Sequence, residues 1–148
     1  MSSLFSALSV SASGMTAERT RAQILVENIA NADTTRTAEG GPYRRQDVVF
    51  QSEQVGSSFS SLLSSSMSEG SANGVGISEV VQDTSEPERR YLPGHPDADK
   101  DGYVAFPKVN PAEDMVDLLG ASRSYQANIS AMSAVKDMIQ RSIDLFRA

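Results

Sequence analysis

The run of residues with most obvious chemical potential is Asp97-Ala98-Asp99-Lys100-Asp101-Gly102, which reproduces the opening half of a calcium-binding loop. Such a loop is closed at its twelfth position by a Glu that binds calcium through both oxygens. Here that position is Lys108, preceded by Pro107, and no helical pattern leads into Asp97. The expected structure is a polar loop whose Asp side chains cap its own turns. The single His, His95, stands between Gly94 and Pro96, and there is no Cys. No nucleophile and base pair and no His/Cys metal cluster can therefore be assembled around it, and it reads as a turn residue. Ser is abundant, but Ser without an activating base is not a nucleophile. Glu113, Asp114 and Asp117 fall in the first turns of a predicted helix, where the helix dipole favours negative charge. No Gly-rich phosphate loop is present. The expectation is a protein without catalytic residues, metal or cofactor.

Lys and Arg number 13 against 19 Asp and Glu, a formal charge of -6. That balance argues against nucleic-acid binding, which needs clustered surplus positive charge. Arg44-Arg45 and Arg89-Arg90 read as solvated or salt-bridged strand faces, with no role assigned. The missing Cys excludes disulfides and permits an oxidising location without requiring one. Apolar runs are far shorter than the roughly 20 residues of a membrane-spanning helix. Met1-Ser2-Ser3-Leu4-Phe5-Ser6 lacks the basic region and apolar core of a secretory signal, so export through a cleaved signal is not expected.

The elements that must carry the function lie at the two ends. Leu8, Met15, Ala22 and Ile29 fall seven apart, flanked by Leu4, Phe5, Ala12, Leu25, Val26 and Ala32, which predicts a helix from Leu4 to about Asn31. Gly14 inside it costs about 1 kcal/mol against Ala. Asn31 is expected to end the helix because Asn tolerates the left-handed conformation. At the other end, Asn110-Pro111-Ala112-Glu113 supplies an N-cap, a first-turn Pro and a capping-box Glu. Met115, Leu118, Ser122, Tyr125, Ile129, Met132, Lys136, Ile139, Ile143 and Phe146 then occupy consecutive a and d positions of a heptad. That helix would run about 54 Å, too long to be covered by a domain of this size unless another long helix lies beside it.

Between the ends, Tyr43 to Phe50 reads as a strand. Half of residues 52–71 are Ser, which predicts a flexible loop spanning about 52–74, with Phe59, Leu62 and Leu63 as its only apolar cluster. Val75, Ile77 and Val80-Val81 suggest a second strand and Tyr103 to Phe106 a third, making a small antiparallel sheet or hairpin over about 75–106. The fold class expected is mainly α with a small β region: an N-terminal helix (1–33) and a C-terminal helix (111–148), paired antiparallel as a coiled coil, around a middle region (34–110). An elongated molecule is expected. Small residues on both helices, Ala7, Ser11, Ala121, Ala127, Ala131 and Ala134 among them, are read equally as room for further helices packed around each one or as simple helix propensity.

Ser13-Gly14 followed by Asn28-Ile29-Ala30-Asn31-Ala32-Asp33-Thr34 resembles the N-terminal signature shared by the rod and hook proteins, the axial proteins of the bacterial flagellum. Three further stretches are similar to the proximal rod members: Gly40-Gly41-Pro42-Tyr43-Arg44-Arg45-Gln46, then Gly94 to Asp99 with Gly102-Tyr103-Val104, then Pro107 to Asn110 running into Glu113-Asp114-Met115-Val116-Asp117-Leu118. The resemblance covers both ends and most of the middle, and the Ser-rich stretch carries none of it. Glu27 departs from the pattern where a second Asn is common, as does Lys108, which separates Pro107 from Val109-Asn110.

The resemblance implies a structural subunit of a rod that crosses the periplasm, transmits torque and encloses an export channel. Implied partners are other proximal rod proteins, copies of itself, the membrane-ring adaptor and the distal rod subunits, with delivery by the flagellar type III export apparatus. The helix positions expected to carry packing and assembly are Leu4, Phe5, Leu8, Met15, Leu25, Asn28, Ile29, Asn31, Met115, Leu118, Tyr125, Ile129, Met132, Ile139, Ile143 and Phe146. Asn110, Pro111 and Glu113 are expected to form the cap. The rival reading, from the heptads alone, is a cytoplasmic coiled-coil adaptor.

Overall fold

Helical periodicity at the ends and turn-punctuated strands between them produce six elements among the residues described by the computed structural model, 2–54 and 73–147. These are α1 (Ser2–Ala30), β1 (Gln46–Gln54), β2 (Asn73–Gln82), β3 (Glu88–Tyr91), β4 (Tyr103–Phe106) and α2 (Pro111–Arg147). The fold is mainly helical with a small β region, and the two long helices pack against each other antiparallel. Contacts divide the chain into two units. One comprises residues 1–20, 50–78 and 121–148, the other 21–49 and 79–120.

In the first unit the early part of α1 meets the late part of α2 through small residues. Ala17 and Ala121 are buried, at 3% and 1% exposure. A Cβ added at Gly14 would lie only 3.0 Å from Asn128 Nδ2. Gly14 therefore exchanges helix propensity for close backbone approach. The Ser13 hydroxyl donates to the Val10 carbonyl (2.8 Å) and accepts from the Val75 N–H (3.1 Å), tying β2 to α1.

In the second unit Ile24, Leu25 and Asn28 of α1 are buried, together with Val104 of β4 and Asp114 of α2. Arg21 reaches Asp117 across the helices at 3.9 Å. Strands β3 and β4 pair antiparallel, with Glu88 opposite Phe106 and Tyr91 opposite Tyr103. The Tyr91 and Tyr103 rings meet edge to face at 5.3 Å, and the Arg90 guanidinium lies 4.8 Å above the Phe106 ring.

The structure corrects four details of the sequence reading. The packed line of α2 runs through Asp114, Ala121 and Val135, with Leu118, Asn128, Met132 and Ile139 half-buried. Of the series Leu118, Tyr125, Met132 and Ile139, Tyr125 is 37% exposed; the other series is displaced by one residue, leaving Met115 54%, Ile129 44% and Ile143 44% exposed. The physical reason is that small residues let the backbones close together, which pushes the bulkier neighbours out to the flanks. In α1 the same offset brings Ala17, Ile24 and Asn28 to the buried face, while Met15, Ala22 and Ile29 are half-buried.

Next, β1 begins at Gln46 and continues to Gln54, and β2 begins at Asn73. Residues at both margins of the segment read as a loop over 52–74 are thus strand; Phe59, Leu62 and Leu63 lie outside the described residues. Instead of one sheet there are two ribbons, β1 with β2 and β3 with β4. Arg89-Arg90, read as a strand face, lies in β3, whose four residues are exposed throughout. Finally, α1 ends at Ala30 without any non-Gly residue at positive φ among those described. The Asn31 N–H still makes the helical bond to the Glu27 carbonyl (3.0 Å), and the Ala32 N–H shifts to the Ile29 carbonyl (3.3 Å). The Asn31 side chain closes the end: its Nδ2 donates to the Glu27 carbonyl (2.9 Å) and its Oδ1 accepts from the Thr34 hydroxyl at 3.2 Å.

Candidate assembly surface

Two kinds of residue stand out: a buried polar cluster that positions the helices, and apolar side chains that the chain leaves exposed. The cluster begins at Asn28, which is 0% exposed. Its Nδ2 donates to the Gln46 carbonyl at 2.8 Å, and its Oδ1 accepts from the Gln46 N–H at 3.0 Å. One side-chain amide thus pairs with both backbone groups of the first residue of β1, as a neighbouring strand would. The same Oδ1 accepts from the Tyr43 hydroxyl at 2.9 Å. Burial, with Glu27 and then Asp114 nearby, raises the Tyr43 pKa above its ordinary value, because each disfavours the phenolate.

Two residues beyond Tyr43, the Arg45 guanidinium donates to Asp114 Oδ1 at 2.8 Å and to Asp47 at 3.0 Å. Burial works against the Arg45 charge, but the hydrogen bond to Asp114 and the nearby Asp47, Asp114 and Glu113 carboxylates outweigh it and raise its pKa. Asp114 is itself 0% exposed, and its Oδ2 is buried without a hydrogen-bond partner. The Arg45 carbonyl accepts from the Asp83 N–H at 2.8 Å, fixing the strand entry from its other side. Asn28 was among the residues expected from sequence, and Tyr43, Arg45 and Asp114 were not. Asp114 could have been suspected from its place seven residues before Ala121, on the face that packs.

The start of α2 has the geometry of an N-cap. Asn110 Oδ1 accepts from the Ala112 N–H at 3.2 Å, the Asn110 carbonyl accepts from the Asp114 N–H at 3.0 Å, and Pro111 is the first helical residue. Glu113 is exposed in the first turn.

The remaining expected positions distribute between flank and surface. Leu4, Leu8, Met15, Ile29, Asn31, Leu118, Met132 and Ile139 are half-buried, and Leu25 is buried. Phe5 (61% exposed), Met115, Tyr125, Ile129 and Ile143 face outward. The Phe146 side chain lies outside the described residues. Leu8, Met15, Ile129, Met132, Ser133 and Lys136 line an open groove of about 460 Å³ in the first unit. A second flank of α2 is lined by small and apolar residues: Gly120, Ala127, Ala131, Ala134, Met138 and Leu145 (80% exposed) recur at helical spacing and all are exposed. The face opposite the packed line carries Arg123, Ser130, Asp137 and Asp144 beside Val116 (67% exposed).

The run from Asp97 to Gly102 is engaged in its own turn. Asp99 Oδ1 accepts from the Asp101 and Tyr103 N–H groups (3.0 and 2.8 Å), while Asp97 accepts from the Thr35 hydroxyl (2.8 Å) and faces Arg36 at 3.7 Å. His95 Nδ1 accepts from the Asp97 N–H at 3.1 Å. Of the arginine pairs, Arg45 is held as described and Arg90 bonds Glu88 at 3.1 Å.

A family model described as the flagellar basal body rod FlgEFG protein C-terminal region matches residues 100–145. Over almost its whole length the chain is similar to the flagellar basal-body rod protein FlgC of Bacillus subtilis (strain 168). The two are 46% identical over 147 residues, covering 95% of this chain and 97% of the relative. The protein of that name in Borreliella burgdorferi is 37% identical over 150 residues, 97% of this chain and 98% of the relative. The one in Escherichia coli O157:H7 is 32% identical over 142 residues, 96% and 97%.

Proposed function

The chain belongs to the family of the flagellar basal-body rod protein FlgC, and on that premise we propose that it works as a structural, non-enzymatic subunit of the proximal rod. It assembles with other rod proteins and with copies of itself into a helical tube that transmits torque and encloses the export channel. The membrane-ring adaptor and the distal rod are its neighbours along the axis, the periplasmic space is its site of action, and the flagellar type III apparatus delivers it.

The observation that carries this reading is the apolar surface left on α2. A helix that packs on one side and keeps exposed apolar residues on both flanks of that side, Met115, Ile129 and Ile143 on one and Ala131, Met138 and Leu145 on the other, has more than one neighbour to satisfy. Subunits joined through unlike faces, with a rotation that does not close, generate an open helical assembly. The exposed helix positions Phe5, Met115, Tyr125, Ile129 and Ile143 are the assembly contacts in this proposal, and the half-buried ones line the helix pair. Family membership does not favour a cytoplasmic adaptor.

The test is substitution at exposed apolar positions. Because Val116 and Ile129 are open to solvent within the chain, Val116→Asp and Ile129→Asp should leave thermal unfolding of the isolated protein within about 1 kcal/mol of wild type. Both should nevertheless exclude the protein from purified basal bodies and abolish swimming, since assembly would bury an unpaired charge. Normal incorporation of both variants would overturn the proposal.

A further inference from the structure

A helix pair built on heptads has a register problem. In α2 the apolar residues Leu118, Tyr125, Met132 and Ile139 repeat every seven positions, so sliding the helix by one heptad, about 10 Å, replaces each with another of its kind. At the closest approach the packed residues, Ala17 and Gly14 of α1 and Ala121 of α2, are small, and small residues offer little shape by which one register could be told from the next.

Two side chains break this degeneracy. Along α2 the series seven apart is Asp114, Ala121, Asn128 and Val135, with one carboxylate; along α1 it is Ala7, Gly14, Arg21 and Asn28, with one amide. The segment 43–46 reads both, since Tyr43 and Gln46 bind Asn28 while Arg45 binds Asp114. After a one-heptad slide Ala121 would stand where Asp114 does, and the Arg45 guanidinium would lose its buried partner. We propose that Asn28 and Asp114, bridged by residues 43–46, set the register of α1 against α2.

The cluster has the marks of a specificity device. Asp114 is buried with one oxygen unmatched, an arrangement that costs stability compared with an apolar residue of similar volume. A buried polar residue in a heptad seam that fixes register at such a cost is the best-attested use of the kind.

The chain has no Cys, so spin labels can be placed on the full-length protein through Gln23→Cys and Leu119→Cys, both exposed positions of the second unit. Pulsed electron-spin resonance on the otherwise unaltered chain should give one inter-label distance. In the apolar replacement Arg45→Met/Asp114→Leu, helicity by circular dichroism should persist and a second distance should appear, from an axial offset of about 10 Å. Moving the carboxylate one heptad, with Asp114→Ala/Ala121→Asp, should transfer the main population to that offset register. A single unchanged distance in both variants would overturn the proposal. So would loss of helicity in the apolar replacement, because the cluster would then supply stability and not register.

Discussion

At Tyr43 a phenol is asked to donate to an amide oxygen that is already accepting from the backbone, in a place where its own ionised form is disfavoured. Burial, then Glu27 and Asp114, keep its pKa above the ordinary value of 10.0. The unfolded chain therefore releases this proton first as pH rises, and unfolding is favoured from about pH 10 upward until the folded group also ionises. Stability from this group is complete below pH 10 and declines above it. Urea unfolding at pH 8 and pH 10.5 should show that decline in the wild type and a smaller one in Tyr43→Phe, which should also lose about 1 kcal/mol at pH 8 with the hydrogen bond to Asn28. An equal alkaline decline in both proteins would mean that the linkage lies elsewhere.

At the scale of elements, the seam of the helix pair is decided by its smallest members. Replacing Gly14 by Ala should add about 1 kcal/mol of helix propensity, yet the new methyl would sit 3.0 Å from Asn128 Nδ2. That amide is itself bonded to the Ser124 carbonyl at 3.1 Å and does not retreat freely. Gly14→Ala alone should therefore gain less than the full propensity, and in an Asn128→Ala background it should gain about 1 kcal/mol. A thermal-melt cycle of the four proteins measures this coupling, and equal gains in both backgrounds would contradict it. The same competition explains how much of the fold was legible in advance. Periodicity announced both helices and their pairing, and Asn110-Pro111 marked the start of α2, because these signals are local. Hydropathy then preferred Met115 to Asp114 and Met15 to Gly14, since it ranks residues by how well they leave water and ignores how closely two backbones can approach. The partner of Asp114 stands at Arg45, far away in sequence, and no local pattern joins them. Arg89-Arg90 was legible as a strand face, but the extent and pairing of β3 were not, for a related reason: its charged residues are strand because Tyr103 to Phe106 lies alongside.

For the whole molecule, the apolar side chains buried among the described residues are Ala17, Ile24, Leu25, Val104, Ala121 and Val135, a modest core for two long helices. Most helical stability in proteins comes from tertiary packing of an apolar face, so α1 and α2 are expected to gain stability when neighbours pack on them. Far-UV circular dichroism of the dilute chain should show less helix than the 29 and 37 residues of the two helices provide, with helicity rising as concentration or added rod protein permits association. Full, concentration-independent helicity would show that the helices stand without partners. The polar cluster at the strand entry bears on how such a transition can be watched. The chain has four Tyr and no Trp, so its near-ultraviolet emission is free of the indole signal that usually masks tyrosine. One of those four phenols is pinned to Asn28, beside the site where Arg45 grips Asp114. Tyr43 is thereby an intrinsic fluorophore placed beside the contact that joins the strand entry to α2, and once Tyr91, Tyr103 and Tyr125 are replaced by Phe the joining of helix and strand can be timed by light without attaching a dye.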